Sequence, residues 1–134
     1  MILLDTCAII FASDDKPISK RANAAIQNAY DAGGLFVSLI SAWEIGNLAS
    51  RGKLAIATNP LRYFRVFLEK SKCRLCELND ELLIASSFLP GNIHRDPMDR
   101  IIIETARRND LTVVTRDRAI LAYGKEGHVR TLAC

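Results

Sequence analysis

Short apolar runs alternate with longer helical stretches along the chain, and this alternation limits its fold more than any other feature. The apolar runs are typical of buried strands, which we predict over residues 1–5, 35–39, 73–78, 111–115 and 129–132. The stretches between them predict helices over residues 18–32, 41–51, 60–71, 79–87, 96–108 and 117–123. We therefore expect a three-layer α/β/α sandwich with a central, mainly parallel sheet of four to five strands.

The composition is that of an ordinary folded protein, with 49% hydrophobic and 25% charged residues among 134. This length predicts one domain over residues 1–134. No apolar run approaches the roughly 20 residues that span a bilayer. The first residues have no basic stretch and Asp5 interrupts their apolar run, so we expect no signal peptide. We expect a cytoplasmic protein with free cysteines and no membrane partner.

The net charge of +3 is too small to indicate a nucleic-acid partner by itself. Residues 51–74, however, contain seven basic side chains and one acidic side chain, Glu69, for a local charge of +6. Such a stretch attracts phosphate groups. On charge alone, a solvated helical face is an equally good interpretation.

Five acidic residues lie where predicted strands end or predicted helices begin: Asp5, Glu44, Asp96, Asp99 and Asp117. In a parallel sheet with right-handed crossovers, these positions face the same edge. Each acid also has a local explanation. Ser41-Ala-Trp-Glu44 has the form of a capping box, and the aspartates suit the starts of helices or turns.

Capping does not explain why several acids gather in one crevice. Two carboxylates about 4 Å apart repel by roughly 4 kcal/mol at an effective dielectric near 20. A divalent ion relieves this repulsion, and oxygen ligands without a histidine or cysteine set favour Mg²⁺, Mn²⁺ or Ca²⁺. Magnesium keeps open positions that a phosphate can occupy, which indicates phosphodiester hydrolysis.

Four short motifs carry a resemblance to a known family. Ile2-Leu-Leu-Asp5-Thr6, Ser41-Ala-Trp-Glu44-Ile45, His94-Arg-Asp-Pro-Met-Asp99-Arg100 and Val114-Thr-Arg-Asp117 follow one another in the order and spacing of the PIN domain. The sequence resembles in particular the VapC-like toxins of bacterial and archaeal toxin–antitoxin pairs. This resemblance implies an endoribonuclease that uses Mg²⁺ or Mn²⁺ and cleaves RNA, such as tRNA or another structured RNA. It also implies a homodimer and a small cognate antitoxin protein as partners.

The resemblance assigns roles to individual residues. It implies that Asp5, Glu44, Asp99 and Asp117 are the catalytic acids. Asp5, Asp99 and Asp117 are the expected direct metal ligands, with Glu44 and Asp96 as further candidates. We also expect contacts to substrate from a second group of residues: Thr6, Thr115, Arg116 and Arg100.

Some patterns allow other interpretations. Tyr63, Phe64 and Phe67 form an apolar stripe that suits a core, although the resemblance favours a contact with an antitoxin or a second copy. Cys73-x-x-Cys76 lies on a predicted strand, where residues three apart face opposite ways, so we expect no redox or zinc site. His94-Arg95-Asp96 occurs in kinase catalytic loops, but this chain is too short for a kinase, and we assign His94 no role. His128 is expected to be structural.

Two other functions remain open. One is a non-catalytic RNA-binding module of the same fold, which four intact acids argue against. The other is an aspartate-based phosphohydrolase or receiver domain. Such a phosphatase needs a second acid two residues after the first, and here that position is Cys7.

Overall fold

A computed structural model describes all 134 residues, and its centre is a five-stranded sheet with the order β3-β2-β1-β4-β5. All four neighbouring pairs are parallel. This confirms the predicted parallel sheet. The strands are β1 (Ile2–Leu4), β2 (Leu35–Ser38), β3 (Arg74–Cys76), β4 (Thr112–Thr115) and β5 (Arg130–Ala133).

Seven α-helices and one 3₁₀ turn, Ser86–Phe88, connect the strands. Six of the helices correspond to predicted ones, with ends that differ by a few residues. The helices are α1 (Thr6–Ser13), α2 (Lys20–Ala32), α3 (Ile40–Ser50), α4 (Pro60–Ser71), α5 (Asp80–Ala85), α6 (Pro97–Asn109) and α7 (Arg118–Lys125). No helix combines the length and apolar character needed to cross a bilayer.

Two hydrophobic clusters cover the two faces of the sheet, which confirms the three layers. Leu3 and Val113 point into one cluster, where they meet buried side chains of α6 and α7. Their neighbours Ile2, Leu4 and Val114 point into the other cluster, which α1, α3 and α4 complete. This alternation is the period-two pattern of a strand buried on both faces.

Helix α1 directly follows β1 and was not predicted from the sequence. Its residues Thr6-Cys-Ala-Ile-Ile-Phe-Ala-Ser show no separation into a polar and an apolar face, so helical periodicity is not visible in them. Asp5 caps the helix. Because α1 begins at once, the side chain of Asp5 is held at the carboxyl edge of the sheet.

Candidate active site

Asp5 lies between β1 and α1, and both of its carboxylate oxygens accept hydrogen bonds. Oδ1 accepts the backbone N–H of Ala8 at 2.7 Å, and Oδ2 accepts the hydroxyl of Thr115. The residue is only 5% exposed. Burial raises the pKa of the Asp5 carboxyl and the nearby charge of Asp117 raises it further, while the two hydrogen bonds oppose the shift.

Asp117 lies just beyond β4 and caps α7, where its Oδ1 accepts the backbone N–H of Ile120 at 2.9 Å. Its own backbone N–H donates to the hydroxyl oxygen of Thr115 at 2.9 Å. The Thr115 hydroxyl therefore links Asp5 to Asp117. This one side chain, buried at the end of β4, fixes the relative positions of two of the predicted catalytic acids.

Glu44 reaches the same edge from α3. The hydroxyl of Thr6 donates to Glu44 Oε1 at 2.8 Å, and its oxygen lies 3.0 Å from the hydroxyl of Ser41. The capping-box interpretation of residues 41–44 is wrong, because α3 already begins at Ile40 and the Ser38 hydroxyl accepts its first N–H. Glu44 is free to face the other acids.

Asp96 and Asp99 lie at the start of α6 and differ in their roles. Asp96 is exposed and caps the helix, with its Oδ1 accepting the N–H groups of Met98 and Asp99. Asp99 makes no capping bond. Its Oδ2 lies 3.2 Å from Nε2 of His94, and its side chain is 19% exposed.

The five acids lie close enough at this edge of the sheet for their charges to influence one another. The pKa of Asp99 is raised to about 7, first by burial and then by the charges of Asp117, Asp96, Glu44 and Asp5. The pKa of Glu44 is also raised, by burial and by Asp96 and Asp5. One ligand atom each from His94, Asp99 and Asp117 lies within 4.8 Å of the other two. None of the five acids forms an ion pair with a lysine or arginine.

The donor set fits a hard divalent cation. Carboxylate oxygens predominate, and no lysine or arginine pairs with them to relieve their mutual repulsion. The Asp117 Oδ2 and Asp99 Oδ1 atoms accept no hydrogen bond from the chain, so both are available to a ligand.

The PIN domain family profile matches residues 2–126 of the chain. The chain belongs to the PIN domain family. Over 123 residues this PIN domain is 27% identical to ribonuclease VapC22 of Mycobacterium tuberculosis, and the match covers 91% of each chain.

Solved structures share the fold of this PIN domain. VapBC2 from Rickettsia felis, bound to a DNA fragment from its promoter, matches with a TM-score of 0.71 and 16% identity over 100% of this chain and 99% of the other. FitAcB from Neisseria gonorrhoeae matches with a TM-score of 0.62 and 19% identity over 98% of this chain and 96% of the other.

Among the predicted substrate contacts, Thr6 and Thr115 hold acids of the PIN domain in place, as described above. Arg116 is exposed, donates to the Pro17 carbonyl at 2.7 Å and lies 4.0 Å from the centre of the Phe11 ring. Arg100 is only 9% exposed, and its guanidinium donates to four carbonyl oxygens. The structure therefore corrects the prediction for Arg100, which anchors a loop instead of facing substrate.

Cys7 lies on α1, two residues after Asp5. Burial of its thiol and the charges of Asp5, Glu44, Asp117 and Asp99 raise its pKa to about 11. A thiol with this pKa is protonated at neutral pH and is a poor nucleophile. The four cysteines are free, as expected.

Three other sequence patterns have structural explanations. The stripe on α4 packs against the core, with Phe64 buried and Tyr63 and Phe67 beside it, so it is not an open groove wall. His128 stacks on Tyr123 with ring centres 4.7 Å apart, as expected of a structural residue. His94 was set aside from the sequence, yet it contacts Asp99. Its position in the same short motif as Asp96 and Asp99 was the sequence feature that could have indicated this contact.

Proposed function

We propose that this PIN domain is a metal-dependent endoribonuclease that hydrolyses RNA phosphodiester bonds at the site formed by Asp5, Glu44, Asp99 and Asp117. One observation carries the proposal: these buried or half-buried acids lie close enough for their charges to interact, and none of them forms an ion pair with a lysine or arginine. The 27% identity with a ribonuclease supports RNA as the substrate. Residues 1–134 act as one nuclease domain.

In this proposal Asp5, Asp99 and Asp117 hold Mg²⁺ or Mn²⁺, with Glu44 and Asp96 as further carboxylates of the site. A bound ion would neutralise the scissile phosphate, activate a water molecule and stabilise charge on the leaving oxygen. The chain supplies the positioning. Thr115 holds Asp5, and Thr6 holds Glu44.

The ends of helices add to this positioning. Asp5, Asp96 and Asp117 each use one oxygen to cap a helix. Capping and metal binding are therefore compatible roles, because a carboxylate has two oxygens and several lone pairs. Because each of these aspartates is hydrogen-bonded to the backbone at the start of a helix, its position is fixed by that helix, which suits a site that must hold its geometry during catalysis.

We further propose that the protein is the toxin of a toxin–antitoxin pair, works in the cytoplasm as a homodimer and is inhibited by a small antitoxin. The motif resemblance to VapC-like toxins supports this, together with the fold shared with VapBC2 and FitAcB. The exposed basic side chains of α4, Arg62, Arg65 and Lys70, are available to attract RNA.

Cleavage of a panel of labelled RNAs tests the proposed function. We expect wild-type protein to cut at least one RNA with Mn²⁺, and we expect EDTA to abolish cutting. Asp5→Asn should be inactive but folded, because asparagine also caps helices well. Asp31→Asn, on the exposed face of α2, is the matched control and should cut like wild type.

Two outcomes would contradict the proposal. Equal cutting by wild type and Asp5→Asn would indicate a contaminating nuclease. RNA binding without any cutting in Mn²⁺ would indicate the non-catalytic RNA-binding module instead.

A further inference from the structure

A large groove lies away from the acids, on the face of the sheet that carries α2. Its volume is about 1310 Å³. Pockets for small ligands usually have about 300–1,000 Å³, so this groove has room for a larger occupant. Its floor includes Ile2, Thr112 and Arg130, the first residues of β1, β4 and β5, which lie side by side in the sheet.

One wall of the groove is a face of α2. The α2 residues that line it recur at helical spacing: Arg21, Ala25, Asn28, Ala29 and Ala32. Helix α2 packs against β1 and β2, whereas β5 packs against α7 on the opposite face of the sheet. Because three of the five wall residues are alanines, space remains between α2 and the strands β4 and β5.

One end of the groove lies near the acid site. The hydroxyl of Ser19, at the start of α2, donates to the carbonyl oxygen of Ala133 at 3.1 Å, which places this end of α2 at the carboxyl end of β5. Asp117 follows the neighbouring strand β4. The other end of the groove is at Arg130, where β5 begins. A strand of this length spans about 10–13 Å, so the groove leads from the acid site to the opposite edge of the sheet.

The groove is strongly basic. Its lining contains one acidic side chain, Asp110, and five basic ones: Arg21, Arg74, Arg107, Lys125 and Arg130. Arg21, Arg74 and Lys125 form no ion pair within the chain. Arg130 pairs with Asp110, but their side chains are 60% and 86% exposed, and such surface pairs contribute little to stability. The groove therefore offers positive charge to a ligand, next to a site that is rich in negative charge.

Helix ends explain only some of these charges. Arg107 and Lys125 lie in the last turns of α6 and α7, where basic side chains interact favourably with the helix dipole. Arg21 lies in the first turn of α2, where a positive charge is unfavourable, and no acidic residue accompanies it there. Its position does not stabilise the helix, and a negatively charged ligand in the groove accounts for it.

We propose that this groove binds the phosphate backbone of single-stranded RNA next to the bond that is cut, through Arg21, Lys125 and Arg130. This rests on the proposed function, because it extends the RNA site from the acids along β5. A positively charged groove that follows the backbone is a usual means of holding single-stranded nucleic acid. The lining contains no phenylalanine, tyrosine or tryptophan, so contacts with phosphates should outweigh base stacking and binding should depend little on sequence.

Anisotropy of a fluorescein-labelled single-stranded RNA of about 12 nucleotides, measured in EDTA, tests the groove without cleavage. Each lost contact with a phosphate should lower the slope of log affinity against log salt by about 0.7. Relative to about 1 M salt, where such contacts contribute little, the affinity at about 0.1 M should fall about fivefold in Arg21→Gln or Lys125→Gln. The double variant should lose about 25-fold. An unchanged slope in the double variant would overturn the inference.

Lys20→Gln is the matched control. Lys20 precedes Arg21 in the same turn of α2 and is exposed, but its side chain does not line the groove. We expect Lys20→Gln to bind with the affinity and salt slope of wild type. Equal losses in Lys20→Gln and Arg21→Gln would reduce the effect to net charge and overturn the inference. Thermal unfolding checks that the variants are folded, and Arg21→Gln should be at least as stable as wild type.

The same variants separate the groove from the acid site and from a protein partner. Cleavage in Mn²⁺ by wild type, together with unchanged binding in the double variant, would overturn the inference and leave the proposed function intact. Binding that the double variant loses, in a protein that cuts no RNA, would support the groove and contradict the proposed function. A labelled polyglutamate peptide is the last probe. Peptide binding that the double variant loses while RNA binding is unchanged would assign the groove to an acidic protein segment and overturn the inference.

Discussion

Two buried carboxylates of this molecule have opposite electrostatic surroundings. Glu104 on α6 is 8% exposed, and its oxygens lie 3.6 Å from Nε of Arg107 and 2.9 Å from Nε of Arg108. Asp5 at the end of β1 is 5% exposed and has no basic partner. Its charged neighbour is another acid, Asp117.

This difference distinguishes a structural acid from a functional one. A buried charge is costly unless it is paired, and Glu104 is paired within the chain. Asp5 and the acids around it lack that pairing, and the pKa values of Asp5, Glu44 and Asp99 are raised as a result of burial and mutual repulsion. The chain leaves this region short of positive charge, which a divalent cation supplies in our proposal.

The largest expected effect is on the rate of RNA cleavage, which should depend on Asp99 and not on Glu104. We expect Asp99→Asn to lower the rate of RNA cleavage in Mn²⁺ by more than about 100-fold, since loss of a mere supporting residue already costs about 10- to 100-fold. Glu104→Gln should cut RNA at the wild-type rate at a temperature where both are folded. A comparable loss in both variants would remove the distinction.

Metal binding should stabilise only the protein with an intact acid site. Mn²⁺ at 100 times its dissociation constant adds about 2.7 kcal/mol to the free energy of unfolding. Scanning calorimetry should find a clear rise in Tm on adding Mn²⁺ to wild type and Glu104→Gln. The rise should be absent in Asp5→Asn, and an equal rise there would place the ion elsewhere.

Without metal, substitution of the two kinds of acid should change stability in opposite directions. At pH 7.5 in EDTA, Glu104→Gln should lower the free energy of unfolding by about 1–2 kcal/mol, because the charged hydrogen bond from Arg108 and the ion pair with Arg107 are weakened. Asp99→Asn should raise it by about 1 kcal/mol, because like-charge repulsion is removed. Urea unfolding measures both, and destabilisation by Asp99→Asn would contradict the account.

The smallest expected effect is on the pH dependence of stability. Because the pKa of Asp99 is raised from 3.8 to about 7, the folded protein retains a proton between these pH values that the unfolded chain has released. The free energy of unfolding of the metal-free protein should therefore fall as pH rises through this window, by about 1 kcal/mol after allowance for solvent screening. Asp99→Asn should show a shallower fall in urea unfolding. The same slope in both proteins would mean that Asp99 is not the group responsible.

The sequence was sufficient to predict the sheet and the gathering of acids. Short apolar runs bounded by polar residues can be recognised as buried strands in the sequence alone. Asp5 and Asp117 closely follow β1 and β4, so the parallel topology brings both to the same edge of the sheet. Glu44 was also predicted there. Its contact with Thr6 was not predicted, because α3 begins two residues earlier than a capping box at Ser41 requires.

Features that depend on packing could not be predicted. Helix α1 is partly buried and has no distinct polar face, so its residues carry no helical periodicity. Arg100 looks like a basic residue beside an acid, and only the folded loop shows that carbonyl oxygens surround its guanidinium. The contact between His94 and Asp99 likewise depends on how the loop turns into α6.

The most direct test of the central claim is a crystal structure of the wild-type protein soaked in Mn²⁺, with the ion located by its anomalous scattering. We expect a peak in contact with carboxylate oxygens of Asp5, Asp99 and Asp117, at about 2.0–2.6 Å as for oxygen-bound divalent ions. A peak bound elsewhere, or none at this edge of the sheet, would contradict it.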